Sequence, residues 1–99
     1  MTLAERSRMI AERVAAARGV SIAEMFGPAR HTRAAEARSV AAWVIRWITG
    51  QGSTPISRTL NRDHSTIIAA LNRVDRRRAA EPDFATTLDQ LVDQIREDL

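Results

Sequence analysis

A run of five polar residues, Arg62 to Thr66, carries the side chains of this sequence that are best suited to recognising another molecule. The run contains a guanidinium, a carboxylate, an imidazole and two hydroxyls, which together offer both hydrogen-bond donors and acceptors. The positions that follow at helical spacing are small or polar: Ala69, Asn72 and Arg76. A helix with such a face can enter the DNA major groove, which is about 12 Å wide, and present its first residues to the base edges.

Catalysis is a weaker interpretation of the same run. Asp63 and His64 are adjacent, so on a helix their side chains point about 100° apart, and no third group stands at a useful spacing. The sequence has no Cys and its fifteen basic residues are all Arg, which excludes thiolate metal sites, the lysine-containing phosphate loop and Schiff-base chemistry. Two His are too few for a His-rich metal centre. We therefore expect no enzyme activity, no cofactor and no metal.

The charges are divided unevenly along the chain. Residues 1–78 carry fourteen Arg and six acids, a net charge of +8, whereas residues 79–99 carry one Arg and six acids, a net charge of −5. A basic body favours a polyanionic partner such as DNA. No apolar run approaches the roughly 20 residues that span a bilayer, and the charged amino-terminal segment does not resemble a secretory leader. We therefore expect a cytoplasmic, nucleoid-associated protein.

Apolar residues recur at spacings of three and four along the whole chain, which predicts an all-α fold of six helices in one domain over residues 1–99. The first three predicted helices are Leu3–Arg18 ended by Gly19, a short helix that begins with the Ser21–Glu24 capping box, and a long helix from Thr32 or Arg33 to Thr49. The fourth covers residues 55–60 with Pro55 in first position, and the fifth covers residues 63–78 and is capped by Asp63. The last begins at Pro82 or Asp83. Leu3, Ile10, Val14 and Ala17 form the predicted apolar stripe of the first helix, and Trp43 and Trp47 are expected in the core.

Two consecutive helices at about 55–78, joined by a short turn and preceded by a supporting helix, have the outline of a helix-turn-helix. The segment 27–33 lacks apolar periodicity and contains Arg30 and Arg33. That composition predicts an exposed basic loop between the second and third helices.

The run Arg62-Asp63-His64-Ser65-Thr66-Ile67-Ile68 resembles the Arg-Asp-His-Thr-Thr-Val signature of the carboxy-terminal DNA-binding domain of the bacterial replication initiator DnaA, and the similarity extends in outline over residues 9–95. The resemblance implies a Trp-repressor-like helical domain that binds double-stranded DNA at a short asymmetric site, the DnaA box. It also implies that the second helix of the motif lies in the major groove and that an arginine of the basic loop enters the adjacent minor groove.

On this resemblance the base contacts fall to Asp63, His64 and Thr66, with Ser65 beside them, and the minor-groove contact falls to Arg30. A carboxylate can accept a hydrogen bond from cytosine, hydroxyl and imidazole groups serve either partner, and arginine suits narrow grooves. The other expected DNA-binding residues are all arginines, most of them expected near phosphates: Arg33, Arg38, Arg46, Arg62 and Arg73.

The sequence departs from the family pattern at several positions. Ser65 replaces a Thr, Asn61 stands where the family has a pair of glycines, and Ala29 and Thr32 make the loop less basic. These departures leave the preferred DNA sequence open. Because 99 residues cannot contain the ATP-dependent motor of the initiator, we expect DNA recognition without ATP hydrolysis.

Two other functions remain open from the sequence. A helix-turn-helix transcriptional regulator would dimerise through its acidic last helix and read a palindrome, whereas a DnaA-like domain is expected to bind an asymmetric site as a monomer. A helical interaction module would instead bind host replication proteins through its first or last helix. Sedimentation with and without DNA distinguishes a dimeric regulator from a monomeric DnaA-like domain. Capture of a partner protein by a chain that does not bind duplex DNA would favour the interaction module.

Overall fold

Start and stop signals in the sequence define most of the helices. The computed structural model describes residues 1–99 and contains six α-helices and no strand. The helices are α1 Leu3–Arg18, α2 Ile22–Phe26, α3 Thr32–Thr49, α4 Ser53–Leu60, α5 His64–Ala80 and α6 Pro82–Asp98. The predicted all-α, six-helix fold is confirmed. None of these helices is both long and apolar enough to cross a membrane.

Local capping chemistry fixes the ends of the first three helices. The Ser21–Glu24 capping box begins α2 as predicted, and Thr2 and Glu5 form a second capping box at the start of α1. Gly19 and Gly50 follow α1 and α3 with φ angles of 71° and 74°. This left-handed conformation costs glycine little, which explains why both helices stop at these positions.

The long helix α3 lies at the centre of the fold and packs chiefly against α1 on one side and α5 on the other. The acidic helix α6 covers the core with four buried apolar side chains, and α4 fits between α1 and α5. The larger buried side chains at the centre are Ile10, Val14, Val44, Ile45, Ile56, Leu60 and Ile67. One continuous apolar core therefore supports both helices of the helix-turn-helix.

Three expectations about the apolar faces were wrong. Trp43 is buried as expected, but Trp47 is 57% exposed because the fully buried positions of α3 end at Ile45. Leu3 is 49% exposed and Ala17 is also exposed, so the buried face of α1 is shorter than predicted and consists of Ser7, Ile10, Ala11, Val14 and Ala15. Helical spacing predicted which faces turn inward but not where the neighbouring helices cease to cover them.

The helix-turn-helix is slightly longer than predicted and occupies residues 53–80. Helix α4 begins at Ser53 with Gly52 in the N-cap position, so Pro55 is the third helical residue and not the first as predicted. A proline is tolerated there because the first turn of a helix has unpaired amides in any case. Helix α5 extends two residues beyond the predicted end, to Ala80.

Candidate nucleic-acid interface

The turn between α4 and α5 sets the angle at which the second helix leaves the first. Asn61 adopts the left-handed conformation with φ 54°, and its amide donates to the carbonyls of Ser57 and Arg58 at the end of α4. The amide of Arg62 donates to the Ser57 carbonyl at 3.0 Å. Asparagine is one of the few residues that tolerate this conformation. A single Asn therefore makes the turn between α4 and α5.

Helix α5 presents a face of small and polar side chains to solvent. Ile67, Ala70, Leu71 and Val74 are buried against the core. The exposed side opposite them carries Ser65, Ala69, Asn72 and Arg76, the positions that the sequence had assigned to the outward face. The helix can therefore approach a major groove without a bulky apolar side chain at the centre of its outward face.

An open groove of about 800 Å³ lies along one flank of α5, between its first turn and the loop that follows α2. None of its lining residues is hydrophobic: Gly27, Pro28, Arg30, Ser57, Arg58, Asn61, Arg62, Asp63 and Thr66. The groove brings Arg30 from the loop together with Asp63 and Thr66 from the start of the helix, although these residues are more than thirty positions apart. Neither Arg30 nor Arg58 forms an ion pair.

The loop is held in place by a nearly buried arginine. Arg38 is 8% exposed, and its two terminal nitrogens donate to the carbonyls of Glu24 at 2.7 Å and Ala29 at 2.6 Å. Burial, followed by the positive charge of Arg62 nearby, lowers the pKa of Arg38. Arg38 was expected near phosphates, but its guanidinium is enclosed by the backbone of the loop. It therefore positions the loop instead of facing solvent.

Arg62 has a similar role on the other side of the groove. Its guanidinium donates to the Gly27 carbonyl in the loop and to the carbonyls of Leu60 and Asn61 in the turn. Arg62 was also expected at a phosphate, yet these carbonyls already engage both of its terminal nitrogens. The two arginines thus connect the basic loop to α3 and to the helix-turn-helix.

The other end of the loop is fixed by an imidazole. His31 occupies the N-cap position of α3, where its Nδ1 accepts from the Ala34 amide, and its Nε2 lies 2.6 Å from the Glu24 carboxylate. Hydrogen bonds from the Ser21 backbone amide and from His31 hold the pKa of Glu24 below its ordinary value. The side chains of Glu24 and His31 therefore close the base of the loop.

Asp63 and His64 of the signature run differ in whether their side chains form hydrogen bonds within the protein. Asp63 stands at the N-cap position of α5, but its side chain makes no capping hydrogen bond, so the predicted cap is absent. Instead, Asp63 lines the groove. His64 is exposed and its Nε2 lies 2.6 Å from the Ser53 hydroxyl, which links the first residues of α4 and α5. The Asp63 carboxylate thus remains available as an acceptor for a ligand.

Comparison with known proteins decides the family. The family model described as bacterial DnaA protein helix-turn-helix matches residues 7–74. The chain belongs to the bacterial DnaA helix-turn-helix family. The helix-turn-helix domain that defines this family binds DNA, and the family is associated with replication initiation.

Individual DnaA relatives agree with this assignment. The chain is 32% identical over 76 residues to the chromosomal replication initiator protein DnaA of Lachnoclostridium phytofermentans, and the match covers 76% of this chain and 17% of that protein. The fold superimposes on a crystal structure of a DNA replication initiation factor with a TM-score of 0.87 at 25% identity. That superposition covers 97% of this chain and 30% of the solved one. The chain therefore corresponds to a minor part of the length of both relatives.

Besides Arg38, three of the arginines expected at DNA lie outside the groove at the start of α5. Arg33 is exposed in the first turn of α3, and Arg46 is exposed near the end of the same helix, on the other flank of α5. Arg73 donates to the Ser39 hydroxyl at 3.1 Å and faces α3. The groove itself therefore combines Arg30 and Arg62 with the start of α5, and the remaining arginines are distributed around it.

The sequence analysis missed two residues of the groove. Ser57 and Arg58 contribute a hydroxyl and a guanidinium from α4. Arg58 lies in the last turn of α4, next to the turn that leads into α5, and this position in the predicted helix-turn-helix could have indicated it. No group of three or more His, Cys, Asp or Glu side chains is arranged to hold a metal ion.

Proposed function

We propose that this chain binds double-stranded DNA in a sequence-specific manner at sites like the DnaA box. The observation that carries the proposal is the groove in which the loop residue Arg30 lies with Asp63 and Thr66 at the start of α5. A helix start in the major groove and an arginine beside it in the minor groove would read two faces of the same duplex.

In this proposal the signature residues have distinct roles. Asp63, His64, Ser65 and Thr66 contact base edges, because they lie at the exposed start of the helix whose outward face is polar. Arg30 enters the minor groove, since it is exposed and without an ion-pair partner. Arg38 and Arg62 hold the loop at the angle that this two-groove contact needs.

Most of the affinity comes from arginines that bind phosphates. Four exposed arginines without an ion-pair partner are proposed for this role: Arg33, Arg46, Arg58 and Arg73. Each phosphate neutralised in this way releases counterions and makes binding weaker as salt increases. Duplex DNA as the partner implies association with the nucleoid.

The proposed role is in replication initiation or its regulation, through DNA recognition without ATP hydrolysis. The support is membership in a family whose matched relative is a chromosomal replication initiator, together with the open groove of polar residues at the start of α5. By occupying initiator sites, such a domain would compete with or assist a full-length initiator.

We propose that the chain binds one asymmetric site as a monomer. A dimeric regulator would need a free apolar face on α6, but Phe84, Leu88, Val92 and Ile95 of that helix are buried in its own core. Sedimentation of the protein with a single-site duplex tests this point. A complex of two protein chains per duplex would favour the dimeric regulator instead.

Selection of bound duplexes from a random pool, followed by sequencing, tests sequence specificity. We expect an asymmetric consensus related to the DnaA box, and titration should show preference for that duplex over a scrambled one at several salt concentrations. Absence of duplex binding in dilute buffer would contradict the proposal and favour a protein-interaction module.

Two variants separate base reading from phosphate binding. His64→Ala should cost about 1–3 kcal/mol on the preferred duplex and much less on the scrambled one. Arg58→Ala should weaken binding to both duplexes similarly and lower the salt slope by about 0.9. Equal losses for both variants on both duplexes would contradict the assignment of base contacts to the start of α5.

A further inference from the structure

An exposed tryptophan stands on a rigid support beside the reading helix. Trp47 is 57% exposed, yet its ring is stacked on that of Trp43 with centroids 5.2 Å apart and planes 8° from parallel. Trp43 is itself fixed, because its Nε1 donates to Asp75 at 3.0 Å and the Arg78 guanidinium lies over its ring. Trp47 is therefore a preorganised aromatic surface, and water covers more than half of it.

The surroundings of Trp47 form a second, smaller groove of about 380 Å³ between α3 and α5. Its lining includes Trp43, Arg46, Trp47, Ile68, Asn72 and Asp75. Ile68 is 42% exposed, so the groove contains a second apolar side chain in contact with water. Arg46 forms no ion pair, and the Asp75 carboxylate already accepts from Trp43.

This groove lies on the flank of α5 opposite the basic loop. The outward face of α5 separates Thr66, which lines the loop-side groove, from Ile68, which lines the tryptophan-side groove. A helix with its side chains is about 10–12 Å across and the major groove is about 12 Å wide, so each flank of an inserted helix faces one sugar–phosphate backbone. The loop-side groove faces one backbone, and Trp47 faces the other.

We infer that Trp47 packs against the deoxyribose groups of this second strand while Arg46 binds an adjacent phosphate. The inference rests on the proposed function, because it needs α5 in the major groove. Two features favour DNA over a protein as the occupant: the unpaired positive charge of Arg46 complements a phosphate, and Asn72 makes the surface continuous with the reading face. The apolar ring and Ile68 match the carbon surface of the sugars.

Intrinsic fluorescence tests the contact directly. The chain has two tryptophans, of which only Trp47 is substantially exposed, so quenching by acrylamide, a neutral molecule that phosphates do not repel, reports on that ring. The probe is a short duplex carrying a DnaA box, added to saturation in low-salt buffer. We expect the quenching constant to fall severalfold. Trp47→Phe, which retains only Trp43, provides the baseline.

Affinity measurements supply a second readout. Trp47→Ala should weaken duplex binding about fivefold to tenfold through lost apolar burial, whereas Trp47→Phe, which keeps a ring, should retain most of the affinity. Leu3→Ala is the matched control, because it removes another exposed apolar side chain and lies in α1, away from the two grooves. It should leave duplex binding unchanged.

The outcomes distinguish this inference from the proposed function. Duplex binding with Trp47 protected supports both. Duplex binding with Trp47 still fully quenchable overturns the contact and leaves the proposed function standing, whereas failure to bind any duplex overturns both. Protection of Trp47 that grows with protein concentration in the absence of DNA also overturns the inference, because it identifies the groove as a contact between copies of the chain.

Discussion

The grooves on the two flanks of α5 are held in shape by different kinds of interaction. On the loop side, every lining residue of the groove is non-hydrophobic and shape is maintained by arginine–carbonyl hydrogen bonds. On the other side, two stacked tryptophans and Ile68 form the surface, and shape is maintained by side-chain packing. The loop flank has no core of its own and depends on directional bonds, whereas the tryptophan flank extends the core outward.

The comparison also shows that arginines in a basic protein are not equivalent. Arg38 and Arg62 donate to backbone carbonyls, while Arg46 and Arg58 are exposed and unpaired. A guanidinium has five donors in a planar fork, so one residue can hold two segments of chain at once. A count of arginines therefore overestimates the number that can reach phosphates.

The largest loss of stability is expected on the tryptophan flank, from a change of Trp43, the ring on which Trp47 stacks. Trp43→Ala removes a buried ring and its hydrogen bond to Asp75, and we expect the free energy of unfolding to fall by about 3–5 kcal/mol. Trp47→Ala should cost about 1 kcal/mol, mostly the stacking contribution. Urea denaturation of both variants measures the difference. Similar losses would mean that the two rings are equally structural.

The second-largest loss of stability is expected on the loop flank, from Arg38→Ala. The change leaves the Glu24 and Ala29 carbonyls without their charged donor, and we expect a loss of about 2–4 kcal/mol in unfolding free energy. Arg46→Ala, on the same helix but exposed, is the matched control and should stay within about 0.5 kcal/mol of the parent protein.

DNA binding by the same pair separates positioning from charge. Arg38→Ala should weaken binding to the preferred duplex while the salt slope is retained, because no phosphate contact is lost. Arg46→Ala should lower the slope by about 0.9. Loss of slope in Arg38→Ala would show that its guanidinium leaves the loop and binds a phosphate in the complex.

A smaller effect should distinguish the two arginines near the loop. Arg30 lines the groove and Arg33 does not, so Arg30→Ala should cost about 1–3 kcal/mol on the preferred duplex, and Arg33→Ala should lose at most a phosphate contact. Titrations at constant salt measure both losses. A larger loss of affinity for Arg33→Ala than for Arg30→Ala would assign the minor-groove contact to Arg33, at the start of α3.

Most helix bounds with a local signal were predictable, although α4 begins two residues before the start that Pro55 indicated. The capping box at Ser21, the glycines after α1 and α3, and the proline near the start of α6 act on their own turn of chain, and each helix end followed them closely. The signature run also placed the start of α5 correctly, because the turn before it depends on adjacent residues.

The roles of Arg38, Arg62 and Trp47 could not be predicted in the same way. Each depends on where a distant part of the chain lies: the loop carbonyls for the two arginines, and the edge of the covering helices for the tryptophan. Periodicity assigns a residue to a face of its helix, but the end of the core is a property of the packed fold. The site was thus predictable as a set of elements, and its internal contacts were not.

The smallest expected effect is a dependence of the unfolding free energy on pH, which should arise on the loop flank alone. Because hydrogen bonds lower the pKa of Glu24 in the folded protein, its ionised form stabilises the fold above the unfolded pKa of about 4.3, and this contribution is lost as pH falls through the lower folded value. Wild type should therefore be more stable than Glu24→Gln near neutral pH, and the gap should close in acid.

Urea denaturation across the acid range measures this gap, with Glu5→Gln as the control for a capping box that lacks an imidazole partner. Tryptophan fluorescence of the folded wild type and of Glu24→Gln should follow the same course over this range. The Asp75 carboxylate that accepts from Trp43 is common to both proteins, and Glu24 and His31 make no hydrogen bond to the tryptophan flank. A gap that persists unchanged into acid would assign the stabilisation to the hydrogen-bond geometry of residue 24 instead of its charge. A difference between the fluorescence curves of wild type and Glu24→Gln would show that the two flanks are coupled through α3, and the contrast between them would then fail.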